Sequence, residues 1–112
     1  MLNEGSQDRR VFERFLASIP VRFLNPRTNQ EGFCKTQDIS AKGLGLETKE
    51  LLAVNSDLEL WLEIPDKGEP LYTRGAVAWS KSSGVNEYRA GINLEKADLM
   101  GLSRVLRTMS LR

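Results

Sequence analysis

The stretch "DLELWLEI", residues 57–64, alternates aliphatic side chains with acidic or aromatic ones at every second position. In an extended chain, this period of two places the aliphatic residues on one face and the acidic and aromatic residues on the other. The stretch therefore predicts a β-strand with one buried and one exposed face. The predicted core contacts are Leu58, Leu60, Leu62 and Ile64.

Five further segments on either side of this strand show similar short patterns. Turn-forming residues separate them, most densely in 25–32, 65–70 and 81–86. Short strands joined by tight turns, without strand–helix–strand alternation, predict an antiparallel sheet curled into a barrel. The six predicted strands are 19–24, 33–39, a strand that starts at Leu44, 57–64, 72–80 and 87–94.

The two ends of the chain differ from the strands. Residues 1–8 are polar, and segment 9–17 has apolar spacing for one or two helical turns. With few apolar anchors, residues 1–14 are predicted to form a mobile N-terminal arm, and residues 15–112 a single domain. The predicted fold class is all-β: a six-stranded antiparallel β-barrel with this arm and a C-terminal α-helix. The apolar stripe of that helix, within 95–112, is Leu99, Leu102, Val105, Leu106 and Met109.

Composition excludes several classes of function. The 112 residues carry a net charge of +1, which provides no overall field to hold a long nucleic acid. The chain has no histidine, which removes Ser-His-Asp and Cys-His catalysis and histidine-containing zinc sites. A single cysteine, Cys34, and no apolar stretch of membrane-spanning length lead us to expect a cytoplasmic protein without membrane insertion.

The segment "KTQDISAKGLGLET", residues 35–48, places an acid, a hydroxyl and a glycine at the predicted elbow between two strands. Asp38, Ser40 and Gly43 form the pattern D-x-S-x-x-G. One interpretation is a turn that Asp38 and Ser40 cap through side-chain-to-backbone hydrogen bonds. The other is a ligand-binding corner, where Gly43 allows a positive φ or the close approach of another group.

Three arginines precede the first strand: Arg9, Arg10 and Arg14. Arg10 and Arg14 are four residues apart, so a helical turn would place both on one side. A solvated basic arm, offset by neighbouring acidic residues, is the alternative. Arginine binds phosphate bidentately and also matches one edge of guanine, whereas a carboxylate such as Asp38 complements the donors on guanine's other edge. Together, these residues suit a ligand that carries both guanine and phosphate.

With R-x-x-x-R at Arg10 and Arg14 followed by D-x-S-x-x-G, the chain resembles the PilZ domain family, a bacterial receptor module for cyclic di-GMP, over roughly residues 8–110. The segments "RGAVAW", 74–79, and "YRAGINL", 88–94, resemble the last two strands of the family. The resemblance implies that Arg10 and Arg14 grip phosphate and guanine from the arm. It also implies that Asp38 and Ser40 read guanine, that Gly43 keeps the corner open, and that Arg9 accompanies a stacked pair of ligand molecules.

We therefore expect a non-enzymatic cyclic di-GMP receptor, without a cofactor or metal, that signals to an unidentified effector protein in motility, polysaccharide or virulence control. The alternative is a PilZ-like adaptor that binds only protein in pilus or motility machinery. A barrel that binds single strands of nucleic acid would need a basic groove with exposed aromatic residues, which the acidic 57–66 segment opposes. The sequence leaves the oligomeric state open, together with contacts from Lys42 or Arg89 to the ligand.

Overall fold

A computed structural model describes residues 13–110 of the chain. These residues form seven β-strands followed by one α-helix. The bounds are β1, Phe15–Leu16; β2, Pro20–Leu24; β3, Glu31–Ile39; β4, Gly43–Thr48; β5, Asp57–Leu62; β6, Leu71–Gly84; β7, Glu87–Leu94; and α1, Leu99–Ser110.

Six of the strands close into an antiparallel barrel. The order is β3, β2, β5, β6, β7 and β4, and β4 pairs back onto β3 to complete the ring. The two-residue strand β1 pairs with the end of β3, beside the barrel. The predicted six-stranded antiparallel barrel with a C-terminal helix is confirmed, with β1 as one additional strand.

The core fills the inside of this ring and extends under the helix. The alternation read from "DLELWLEI" is confirmed, because its four aliphatic side chains are at most 5% exposed. The alternating residues of β2 behave in the same way, and Phe23 is fully buried. The helix packs Leu102 and Val105 onto the ends of the strands, beside Leu44 and Leu71. Burial of each such side chain stabilises the fold by about 1.5–3 kcal/mol.

Two predictions about local structure were wrong. The expected helical turns do not extend through residues 13–16, because Phe15 and Leu16 pair with β3 instead, and Phe15 packs against the core. A one-turn helix has little stability alone, whereas a strand beside a sheet gains partners for its backbone groups. The predicted connector at 81–86 is also shorter, because β6 continues to Gly84 and pairs with β7 up to Glu87.

Candidate functional site

A β-bulge brings Asp38 to the surface. In β3, Thr36 is fully buried, so regular alternation would also point Asp38 into the core. The register between β3 and β4 shifts between Thr36 and Asp38, and the extra residue reverses the alternation. As a result Ile39 is buried and Asp38 faces outward, with its side chain 27% exposed.

A second bulge does the same for Trp79. Val77 is 1% exposed, and the register between β6 and β7 shifts between Val77 and Trp79. Trp79 therefore faces outward and is 44% exposed, although its position in a regular strand would be inside. The ammonium group of Lys81 lies 5.5 Å from the centre of the Trp79 ring.

The two bulged residues lie at the ends of one row across four strands. Asp38 pairs with Gly45, Gly45 with Gly91, and Gly91 with Trp79. A Cβ on Gly45 would lie 2.7 Å from Asp38 Oδ1, and a Cβ on Gly91 would overlap the indole of Trp79. The two glycines therefore let the carboxylate and the indole lie flat over neighbouring strands. We call Asp38, Gly45, Gly91 and Trp79 the bulge row.

Arg14 reaches the bulge row because β1 fixes the backbone beside it. Leu16 pairs with Asp38, and Phe15 with Ile39. From this position Arg14 Nη1 donates a hydrogen bond of 2.6 Å to Asp38 Oδ1, while the Arg14 side chain remains 48% exposed. The arginine of one predicted motif and the aspartate of the other therefore meet in the structure.

Ser40 shapes the elbow. Its Oγ accepts hydrogen bonds from the backbone N–H of Gly43 at 3.0 Å and of Lys42 at 3.3 Å, and it is only 6% exposed. The predicted turn-capping role is confirmed for this residue. Ser40 also lines an open cleft of about 460 Å³ together with Arg14, Lys42 and Glu95.

Gly43 is required for close packing rather than for an unusual φ. Its added Cβ would lie 2.7 Å from the carbonyl oxygen of Ile92 on the paired strand β7 and 3.4 Å from Arg14 Nη2. None of the glycines in residues 13–110 has a positive φ. Of the two roles proposed from the sequence, close approach is the one that occurs.

The backbone of the elbow is bonded directly to the start of the helix. The carbonyl of Ala41 accepts a 2.7 Å hydrogen bond from Asp98 N–H, and the carbonyl of Lys42 accepts one of 2.8 Å from Leu94 N–H. Asp98 then caps α1, because its Oδ1 accepts a 2.7 Å hydrogen bond from Gly101 N–H. A displacement of the elbow would therefore also displace Asp98 at the helix N-terminus.

The structure places four of the six predicted site residues together: Arg14, Asp38, Ser40 and Gly43. Arg9 and Arg10 lie outside the described residues. Trp79, which the structure brings to the same surface, was not among the predicted site residues, because the sequence suggested a place in the core or at the rim. The available signal was the paired "GLG" and "AGI" segments, whose glycines leave room for a large neighbour.

Several other features of the described residues bear on function. Burial, with a smaller contribution from Glu50, raises the pKa of Cys34 to about 12, so the thiol stays protonated. Within residues 13–110, acidic and cysteine side chains form no cluster suited to a metal ion. In the same range, the helix is too short and too polar to cross a membrane.

Comparisons with known proteins agree with this fold. A model of the PilZ domain matches residues 8–107. The PilZ domain of YcgR from Escherichia coli, solved with c-di-GMP, has a TM-score of 0.71 at 12% identity, with 92% of each chain covered. The PilZ domain of CeSA from a cellulose-synthesizing bacterium has a TM-score of 0.63 at 20% identity, with 88% of this chain and 97% of that one covered.

A third structure is larger than this chain. The Bacillus subtilis inhibitor of motility MotI/DgrA has a TM-score of 0.65 at 15% identity, and 88% of this chain is covered. The match spans about half, 51%, of the MotI/DgrA chain. Among curated proteins, none matches the sequence. The match to the family model covers most of the sequence and, with the barrel described above, shows that this chain belongs to the PilZ domain family.

Proposed function

We propose that this chain is a receptor for cyclic di-GMP, that it binds the nucleotide at the Arg14–Asp38 end of the bulge row, and that it passes the signal to an effector protein. The observation that carries the proposal is the meeting of Arg14 and Asp38, 24 residues apart in sequence, beside an open cleft. In this proposal Arg9 and Arg10 join them from the preceding segment, while Ser40 and Gly43 fix the corner.

The chemistry of the corner fits the two halves of a guanine nucleotide. The Asp38 carboxylate can accept the N1–H and N2–H₂ donors of guanine, and the exposed Arg14 guanidinium can bind phosphate. An exposed ion pair such as Arg14–Asp38 contributes about 0.2–1 kcal/mol. Each charge-assisted hydrogen bond to a ligand contributes about 1.5–3 kcal/mol. The nucleotide can therefore displace or share this pair with a net gain.

Trp79 adds an exposed aromatic ring to the same surface, on which a base can stack. Its indole lies over Gly91, next to the strand on which the Asp38 carboxylate lies over Gly45. A purine whose donor edge faces a carboxylate presents its flat ring alongside, where an indole can stack on it. The spacing of a carboxylate and an indole over adjacent strands, about 4.8 Å apart, suits one base.

Transmission would follow the backbone hydrogen bonds of the elbow. Arg14 is already hydrogen-bonded to Asp38, so in this proposal the ligand draws Arg9 and Arg10 toward the same corner and shifts the turn from Ser40 to Gly43. The carbonyls of Ala41 and Lys42 in this turn are bonded to Asp98 and Leu94, at and before the start of α1. An effector protein that contacts the helix or the segment before β1 would therefore distinguish the bound from the free form.

Two related structures support the choice of ligand. The PilZ domain of YcgR was solved with c-di-GMP. The PlzA protein of Borreliella burgdorferi, with a TM-score of 0.52 at 18% identity, was solved in complex with c-di-GMP; 93% of this chain and 42% of that chain are covered. At these identities the likeness shows the fold, so the ligand assignment depends on the two motifs of this chain and their geometry.

Isothermal titration calorimetry of the full chain with cyclic di-GMP tests the proposal. We expect a dissociation constant in the micromolar range or tighter, equivalent to about 8 kcal/mol or more. In this proposal Arg10 makes two charge-assisted hydrogen bonds to the ligand, so Arg10→Ala should weaken binding by about 100-fold or more. Arg27→Ala, an exposed arginine in the β2–β3 turn, is the matched control and should bind as the wild type does.

GTP should give no heat, because it lacks the second guanine and the ring closed by two phosphodiester groups. The fitted stoichiometry tests the role of Arg9, since two ligand molecules per chain are expected if Arg9 holds a stacked pair. No heat and no thermal shift with cyclic di-GMP would overturn the receptor proposal. The protein-only adaptor would then be the better description.

A further inference from the structure

A row of large side chains crosses the outside of the barrel on the side away from the bulge row. Phe33 of β3 pairs with Arg22 of β2, Arg22 with Trp61 of β5, and Trp61 with Tyr72 of β6. Each faces outward, because the alternating neighbours in these strands are buried or point inward. We call these four residues the aromatic row.

Three of the four residues of the aromatic row contact one another. The guanidinium of Arg22 lies 4.5 Å from the centre of the Trp61 ring, and the rings of Trp61 and Tyr72 are 5.4 Å apart at 52°. The Tyr72 hydroxyl donates a 3.0 Å hydrogen bond to Glu59. Phe33 is nevertheless 76% exposed and Tyr72 46% exposed. A rigid, aromatic surface of this kind loses little side-chain entropy when a partner covers it.

The composition of the aromatic row is that of a protein-binding surface. Tryptophan, tyrosine and arginine are enriched at the energetic centres of protein interfaces, and phenylalanine is enriched in interface cores. Leu24 of β2, half-buried beside Arg22, extends the apolar area. Phe33 and Tyr72 do not contribute to the barrel core, which lies on the opposite face of their strands.

Carboxylates lie on both sides of the aromatic row. Glu59 precedes Trp61 by two positions on the outer face of β5, and Asp57 extends that face. Glu63 follows Trp61 by two positions, just beyond the end of the strand. Glu31 lies two positions before Phe33, with one oxygen 4.0 Å from Arg22. The basic neighbours are Lys35, two positions after Phe33, and Arg74, which is 3.6 Å from Glu95, so carboxylates still outnumber basic groups around the row.

We propose that the aromatic row is the docking surface for an amphipathic helix of a partner protein whose apolar stripe is flanked by lysine or arginine. Four neighbouring strands place the ends of the row about 14 Å apart. A helix rises about 1.5 Å per residue, so three turns span this distance. Its apolar stripe would cover Phe33 and Tyr72, and its basic flanks would face Glu59 and Glu63. The proposal does not depend on nucleotide binding, because its residues are separate from the bulge row.

Nuclear magnetic resonance of the full-length ¹⁵N-labelled chain without nucleotide tests this surface. The probe is an 18-residue helical peptide of leucine and lysine with leucines at helical spacing, and its control replaces each lysine by glutamate. We expect the lysine peptide to shift the indole N–H signal of Trp61 and the backbone signals of Phe33 and Tyr72. The indole signal of Trp79, on the other side of the barrel, should not move.

Matched variants locate the binding. Phe33→Ser combined with Tyr72→Ser should weaken the lysine peptide at least tenfold, and Glu63→Gln should weaken it about threefold. Val85→Ser removes a side chain that is 90% exposed at the β6–β7 turn and should leave binding unchanged. Unchanged spectra elsewhere show that each variant is folded.

Four results would overturn the proposal. They are equal binding of the glutamate peptide, shifts centred on Arg14 and Asp38 instead of Trp61, no shift at millimolar lysine peptide, and self-association of the chain that Phe33→Ser abolishes. The last would show that a second copy covers the aromatic row. Because no nucleotide is present, failure here leaves the calorimetric test of cyclic di-GMP unaffected.

Discussion

Residues 13–110 contain two Asp–Arg pairs that join distant parts of the chain, and the two pairs differ in the number of hydrogen bonds they make within this range. Arg14 makes one hydrogen bond, of 2.6 Å, to Asp38 Oδ1. Arg104 of α1 makes two to Asp66 of the β5–β6 loop, of 2.5 Å and 2.9 Å, and also donates to the carbonyl of Glu69. The Arg14 side chain is 48% exposed and that of Arg104 is 22% exposed.

The surroundings reinforce the difference. Asp66 Oδ1 also accepts a 2.9 Å hydrogen bond from Gly68 N–H, so the acceptors of this carboxylate are used within the fold. The hydrogen bonds from Arg104 and then Gly68 hold the pKa of Asp66 well below its usual range. The same two side-chain types therefore stand in two settings. The bidentate Arg104–Asp66 pair links the helix to the β5–β6 loop, whereas the singly bonded Arg14–Asp38 pair is the one that we propose exchanges with a ligand.

Removing either partner of the exposed pair should have the largest effect on binding. We expect Arg14→Ala and Asp38→Ala each to weaken cyclic di-GMP by about 100-fold or more, because each loses charge-assisted hydrogen bonds to the ligand. The free energy of unfolding should fall by no more than about 1 kcal/mol, because the pair is exposed. Calorimetry and urea unfolding measure the two quantities.

Arg104→Ala is the comparison for this experiment. It should bind cyclic di-GMP with wild-type affinity, since Arg104 lies at the β5–β6 loop. If Arg14→Ala instead unfolds the protein while keeping its affinity, the assignment of the two pairs is wrong.

A methyl group on Gly45 should disturb the exposed pair without removing either partner. Its Cβ would lie 2.7 Å from Asp38 Oδ1, so the carboxylate must move away from Arg14 and from the ligand. We expect Gly45→Ala to weaken cyclic di-GMP about tenfold, measured by calorimetry. Gly84→Ala is the control, because its nearest neighbour atom would be 3.4 Å away. Equal affinities for the two variants would show that the flat placement of Asp38 is not needed.

The sequence predicted the barrel because its strands have one buried and one exposed face. The alternation in 57–64 and 19–24 is an alternation of hydrophobic and polar side chains, and hydrophobicity is a property of the residues themselves. Asp38 was identified as a surface residue by its chemistry rather than by its pattern. Its side chain is charged and the D-x-S-x-x-G spacing marked it, although strict alternation with Thr36 would have placed it inside.

The bulges could not be predicted, because a bulge depends on how two strands pair. Trp79 has the same parity as Val77, and only the shift between β6 and β7 turns its indole outward. The strand at Phe15–Leu16 was missed for a related reason, since its partner, the end of β3, is more than twenty residues away. Both features depend on pairing between distant segments, which the local spacing of residues does not reveal.

Breaking the Arg104–Asp66 pair should lower the stability of the protein and leave its affinity for cyclic di-GMP unchanged. We expect Arg104→Ala to lower the thermal midpoint by a few degrees, because Asp66 and the Glu69 carbonyl lose their donor and α1 loses its link to the β5–β6 loop. Differential scanning calorimetry at neutral pH measures this shift. Met100→Ala, which removes a side chain that is 84% exposed on the same helix, is the control for changes in the helix itself. A drop as large in Met100→Ala would mean that the helix, and not the pair, is responsible.

The smallest expected effect is a gradual loss of the contribution of the Arg104–Asp66 pair to the free energy of unfolding as the pH falls. Because the pKa of Asp66 is lowered by folding, the pair stabilises the protein above the unfolded pKa of about 4 and is lost as the pH falls through the folded value. The difference in unfolding free energy between the wild type and Asp66→Asn should therefore be constant from pH 8 to 5 and shrink below about pH 4. Urea titrations at several pH values measure it, and adding Arg104→Ala to Asp66→Asn should cause little further loss. A difference that grows as the pH falls would mean that folding raises the pKa of Asp66. That result would contradict the two hydrogen bonds that Arg104 donates to this carboxylate.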